Sequence, residues 1–157
     1  KKLIIQYMKQ NMLWKKFKKI NKGENMFLNQ LLSNEKEAFV SLSIHAAKAN
    51  NVIEKEEIAM IEEYCKEMEI ESFDLENAME IDKILEIYEK SEQKHKKIVL
   101  LETLGLLYAD GEYDEQEKRF IYDCSEKIGL TKADVDRVEK LLGRYLNIVK
   151  DLVCEIG

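Results

Sequence analysis

The sequence predicts an all-α fold with an internal duplication of a helix–turn–helix unit, and three observations predict it. The 157 residues contain no proline, where average usage would give about eight. Apolar positions recur at intervals of three and four, the spacing of one helical face. One helix–turn–helix unit occurs twice, sixty residues apart. A chain of this length is one domain and buries roughly two thirds of its unfolded surface. Its 36% charged residues against 45% hydrophobic ones suit helices with one apolar stripe and a solvated face.

The elements follow in order. Val40, Ile44 and Ala47 place a first helix, which runs into the segment KANNVIEKEE (48–57). Ile61, Tyr64 and Met68 continue as a second helix. Ile81, Ile84, Leu85 and Tyr88 mark a short third one. Leu100, Leu104 and Leu107 then repeat the first helix and lead into YADGEYDEQE (108–117), after which Ile121, Cys124 and Ile128 repeat the second. Gly129 stops that helix, and Thr131 caps a last one carrying Val135, Val138, Leu142, Tyr145, Val149 and Leu152. Alternating steps of three and four make this last stripe heptad-like, and packing within the bundle is its expected use.

The two duplicated segments describe the same corner. Ala49 matches Ala109, Asn50 matches Asp110, Asn51 matches Gly111, Glu54 matches Asp114 and Glu57 matches Glu117. Gly111 suits the left-handed residue that ends a helix, and Asn51 is the next-best type. Asp114 is a good N-cap, and Glu117 three residues on completes a capping box. In the first copy Glu54 takes the cap position, a weaker choice, with Ile53 and Ile58 at the spacing of a hydrophobic staple.

Residues 1–25 stand apart. They carry eight Lys and one Glu, a charge of +7 that leaves −13 for residues 26–157. The apolar residues among them (Leu3, Ile4, Ile5, Tyr7, Met8, Met12, Leu13, Trp14, Phe17 and Ile20) spread around a helical wheel without a clean stripe. This basic N-terminal extension is expected to be translated leader, with translation starting at Met26. Lys22-Gly23-Glu24-Asn25 can be encoded with a purine-rich GGAG just ahead of the ATG. The three arginines (Arg119, Arg137, Arg144) among 25 basic residues fit an AT-rich genome. The alternatives are a lysine-rich helix on anionic lipid and a docking arm. The domain proper is then 26–157. Its acidity excludes the basic footprint of a nucleic-acid binder.

Metal and catalytic signatures are sparse. The three cysteines (Cys65, Cys124, Cys154) form no C-x-x-C pair and are expected as reduced, mostly packed thiols. His45, on the helix leading to the first corner, and His95, in a lysine-rich stretch, have no partner close in sequence. The six glycines are scattered, so no phosphate-cradling loop is present. The acidic corner remains. Asp110, Asp114 and Glu117, with Glu54 and Glu57 as second choices, are the candidate ligands for a weakly bound divalent cation, Ca²⁺ or Mg²⁺, which takes oxygens from a concave site. Asp110, Glu112 and Asp114 have the 1-3-5 spacing of an EF-hand. Glu115 and Ile121 fall where that loop needs glycine and a bidentate Glu, so the pattern is not one. Helix capping accounts equally for Asp114 and Glu117.

A helix, then Ala-Asp-Gly-x-apolar-Asp-x-x-Glu, then a helix, given twice in an acidic all-α chain, resembles the tellurite-resistance protein B (TerB)-like family. The second copy matches through Ala109, Asp110, Gly111, Tyr113, Asp114 and Glu117. In the first, Asn50 and Asn51 replace Asp-Gly. The likeness spans about residues 30–150. It implies a seven-helix bundle with pseudo-twofold symmetry. It also implies a bacterial protein of the cytoplasm or inner membrane face, linked to resistance to tellurite and other stresses, and a divalent metal held by clustered carboxylates. No enzymatic reaction is implied, and related domains are fused to other modules, co-chaperones included. The expected function is a non-enzymatic stress-response module that binds a partner protein and responds to a cation. The alternative is a peripheral membrane adaptor anchored through residues 1–25.

Overall fold

A computed structural model describes residues 27–108 and 113–156. They form a 3-10 turn (Phe27–Gln30) and six α-helices: α1 (Ser33–Ala47), α2 (Lys55–Met68), α3 (Ile81–Glu89), α4 (Gln93–Leu107), α5 (Glu115–Lys127) and α6 (Lys132–Ile156). No strand occurs among the described residues. The described residues thus hold six α-helices against the seven or so expected, with a 3-10 turn ahead of α1. The extension 1–25 lies outside the described residues, as do Asp110 and Gly111 of the second corner.

Two helices form the centre because they are buried on every side. α1 buries Ala38, Phe39, Leu42 and Ile44, and α4 buries Val99, Leu100, Leu104 and Leu106. A helix wrapped on all faces must be apolar or internally bonded throughout. Their small hydroxyl residues meet that demand identically. Ser43 Oγ donates to the Phe39 carbonyl (2.8 Å), and Thr103 Oγ1, sixty residues on, donates to the Val99 carbonyl (2.7 Å). Around this pair lie the amphipathic helices. α2 buries Ile61, Tyr64, Cys65 and Met68. α3 buries Ile84, Leu85 and Tyr88, as the period predicted. Tyr64 packs edge-on to Phe39 and donates to the Glu102 carbonyl (2.7 Å), which ties α2 to both central helices.

The punctuation is where the residue types place it. Asn51 (φ 64°) and Gly129 (φ 86°) both take the left-handed conformation that closes a helix. Thr131 Oγ1 accepts from the Asp134 amide (3.1 Å) while the Asp134 carboxylate accepts from the Thr131 amide (2.9 Å), capping α6. One expectation needs correction. On α6, Val135 and Val149 are buried, and Val138 and Leu142 pack against the core. Leu152, assigned to the same stripe, is 47% exposed. At 100° per residue it is turned roughly 60–80° off the covered face that carries Leu142 and Val149.

Candidate functional site

The two corners meet. α2 starts at its N-cap Glu54, whose amide donates to Glu57 Oε2 (2.9 Å). α5 starts in the same way. Asp114 Oδ1 accepts from the amides of Gln116 (2.8 Å) and Glu117 (2.9 Å), and Glu117 Oε2 accepts from the Asp114 amide (2.9 Å). Both caps have extended backbone (ψ 152° and 174°). Asn50, from the first corner, donates through Nδ2 to Asp114 Oδ2 (3.1 Å) and more loosely to Glu117 Oε1 (3.4 Å) of the second. Its own carbonyl oxygen accepts from the Val52 amide (3.1 Å), which fixes the amide plane.

Burial divides these carboxylates into two kinds. Glu57 and Glu117 are 1% and 0% exposed, whereas Glu54 is exposed and Asp114 is half-buried. The Glu117 amide, then the Asn50 and Gln116 donors, hold the Asp114 carboxyl below its ordinary value despite partial desolvation. The predicted ligand residues thus fall into separate pairs: Asp114 with Glu117, and Glu54 with Glu57. Asp110 lies outside the described residues, and among the described residues no three His, Cys, Asp or Glu side chains are placed to hold one metal ion. In the second corner the place a cation would take between Asp114 and Glu117 is held by an amide donor, Asn50 Nδ2. The described residues of that corner, taken alone, do not fit a metal. Residues 115–121 of the EF-hand-like spacing are already helix.

A second polar centre escaped sequence reasoning. Glu35 is 2% exposed at the N-terminus of α1. Its Oε2 accepts from the Leu32 amide (2.8 Å) and stands 2.8 Å from His95 Nδ1, and its Oε1 accepts from Ser91 Oγ (2.5 Å). Tyr88 Oη donates to the Glu35 carbonyl (2.6 Å). His95 is therefore not isolated. It starts α4 where Glu35 starts α1, and residues 35 and 95 are one repeat length apart. Ser91 donates to the carboxylate and His95 faces the other oxygen, so the imidazole is not placed to take the Ser91 proton. The trio fastens helix ends; it does not activate a nucleophile.

His45 is half-buried. Its Nε2 lies 2.8 Å from the Met79 carbonyl, so it holds the segment before α3, with no part in the corner. Lys48 Nζ (2.5 Å to the Leu75 carbonyl) and Ser41 Oγ (3.0 Å from the Met79 amide) pin the same segment. On α6, Glu139 accepts from Tyr113 Oη (2.7 Å) and, at 3.5 Å, from Tyr122 Oη, which also donates to Asp136. The Tyr108 and Tyr113 rings stack at 4.8 Å, and burial drives the Tyr113 hydroxyl far above its usual range. These tyrosines clamp α6 onto the second corner.

The thiols are sorted by depth. Cys65 is buried and Cys154 exposed. Cys124 is half-buried, and desolvation pushes its thiol up to about 12. A thiol-disulfide reagent at pH 8 is expected to modify Cys154 rapidly in the native protein, and Cys65 and Cys124 only on unfolding. Peptide mapping of the labelled chain checks this, and fast labelling of Cys124 would contradict the packing. Cys124 borders a small, partly open pocket of about 20 Å³ lined by Leu42, Tyr88, Val99 and Ile121. That is room for a single water and far below the few hundred Å³ of a metabolite site. No helix among the described residues is long and apolar enough to cross a membrane.

Compared with known proteins, residues 36–140 match a family model described as tellurite resistance protein TerB. No curated protein and no solved structure matches the chain.

Proposed function

The chain belongs to the TerB family, and on that premise we propose that it acts as a non-enzymatic interaction module of a bacterial stress response, of which tellurite resistance is one setting, with a divalent cation tuning one of its acidic corners. Its place is the cytoplasm or the inner membrane face, and its partner is another protein. The observation that carries this reading is the join between the corners, Asn50 to Asp114 and Glu117. It makes one acidic surface from two halves of the chain, and whatever changes that join changes the relation of the halves.

The repeat indicates which corner takes the cation. Asp110 occupies the sequence position of Asn50 in the other copy, and Glu54 and Glu57 occupy those of Asp114 and Glu117. On that correspondence Asp110, Glu54 and Glu57 are the three carboxylates we assign to the ion. Oxygen-only sites of that charge suit Ca²⁺ and Mg²⁺. A bound ion would supply positive charge that lets a buried Glu57 sit beside its neighbours.

Calorimetric titration with Ca²⁺, Mg²⁺, Mn²⁺ and Zn²⁺ at millimolar concentration tests this. A heat of binding and a rise in Tm are expected, since a ligand at about 100 times its Kd stabilises by about 2.7 kcal/mol. Both should vanish in Asp110→Asn and persist in Asp114→Asn. Absence of heat and of any Tm change for all four ions removes the cation from the reading.

A further inference from the structure

We infer that residues 1–25 belong to the working protein, in place of the leader expected above, and that the exposed apolar stripe on the C-terminal half of α6 is their docking surface. From Leu141 onward α6 leaves Leu141 (53% exposed), Ile148 (57%), Leu152 (47%) and Ile156 (71%) open. At 100° per residue these four fall within one sector of the helix, about 80° wide. Scattered single hydrophobics need no explanation, but an aligned row on one helix does.

The position of the row indicates what covers it. The family match ends at residue 140, and the row begins at residue 141. The row therefore lies outside the part of the chain that the family model matches. The other unmatched part is the N-terminal stretch ahead of residue 36. Residues 1–25 supply large apolar side chains (Ile4, Ile5, Met12, Leu13, Trp14, Phe17) with a charge of +7, against −13 on the rest. Asp151 and Glu155, both exposed, border the row. A second copy of the acidic body would bring like charge to the same place. A lipid surface calls for a helix with its apolar residues gathered on one face, whereas those of 1–25 are distributed around the wheel, as in a segment covered by protein. Reach is sufficient. The chain enters the described fold at Phe27, in the turn that packs on α2 and α4, and α4 is the main neighbour of α6. Even fully helical, 25 residues span about 37 Å, the length of α6 itself.

The chain carries its own reporters. Trp14 is the only tryptophan, and Cys154 is an exposed thiol on α6, on the side of the helix away from the row. In the full chain with a fluorescent acceptor on Cys154, docking predicts blue-shifted Trp14 emission and energy transfer to the acceptor. Both should be independent of protein concentration. Ile148→Asp with Leu152→Asp should abolish the transfer and red-shift Trp14 with helicity unchanged, since both sites are exposed. Phe17→Asp should do the same without touching α6. Solvent-like Trp14 emission with no transfer overturns the inference. So does transfer that grows with concentration, which assigns the row to a second copy. So does a Trp14 shift that appears only on adding phosphatidylglycerol vesicles, which assigns residues 1–25 to the membrane.

Discussion

Replacing Glu35 by alanine is expected to remove about 3–5 kcal/mol of stability, the cost of breaking a buried charge-assisted network by deleting one partner. The carboxylate is 2% exposed and serves the Leu32 amide, Ser91 and His95 together. Alanine leaves all three facing a dry gap, and each unmet buried group costs about 1–3 kcal/mol. For a domain whose whole stability is about 5–15 kcal/mol, this is a large share, seen as a fall in Tm of roughly 10 °C. Tyr88→Phe serves as the graded control. It removes only the bond to the Glu35 carbonyl and should cost about 1 kcal/mol. Urea unfolding of the three proteins checks the ranking. A Glu35→Ala loss no larger than that of Tyr88→Phe would mean that water enters the site and the network does not hold the helix ends.

The network also marks the boundary of what the sequence discloses. Helix period, the sixty-residue duplication and the punctuation at Asn51, Gly129, Thr131 and Asp114 are local facts. Each depends on residues within one turn, and one dimension suffices to see them. Glu35 and His95 are distant in sequence, and nothing near either one signals the other. The one available signal was the repeat itself, carried back from the corners to the starts of the helices, where residues 35 and 95 coincide. Asn50 was visible as the counterpart of Asp110, but not as a donor to the opposite corner, because cross-contacts between repeats depend on how the halves are set together. Glu139 was invisible for the same reason, since its partners Tyr113 and Tyr122 come from another helix and the corner before it. Leu152 shows the complementary limit. A heptad-like stripe states that a face is apolar, not that anything in the fold lies against it.

The second large effect concerns the join between the corners. Asn50→Asp is expected to cost about 2–3 kcal/mol at pH 7, the scale of a hydrogen bond to a charged group. It exchanges the donor 3.1 Å from Asp114 and 3.4 Å from Glu117 for a third carboxylate. The pH dependence follows from Asp114. Its folded carboxyl titrates below the ordinary 3.8, so its contribution in the wild type is complete above that value and is lost as pH falls through the lower folded one. In Asn50→Asp the donor is gone and a like charge is added, both of which raise the Asp114 carboxyl. Acid then protonates the crowded site and relieves it. The gap between the two proteins should therefore narrow as the pH drops below about 4. A cation should narrow it as well. With three carboxylates in one corner, millimolar Ca²⁺ or Mg²⁺ should restore more stability to Asn50→Asp than it adds to the wild type, because the variant gains the site that Asn50 closes. Thermal unfolding across pH 3–8, with and without the ions, measures both arms. An Asn50→Asp protein as stable as wild type at pH 7, with no ion response of its own, would show that this side chain does not bridge the two halves.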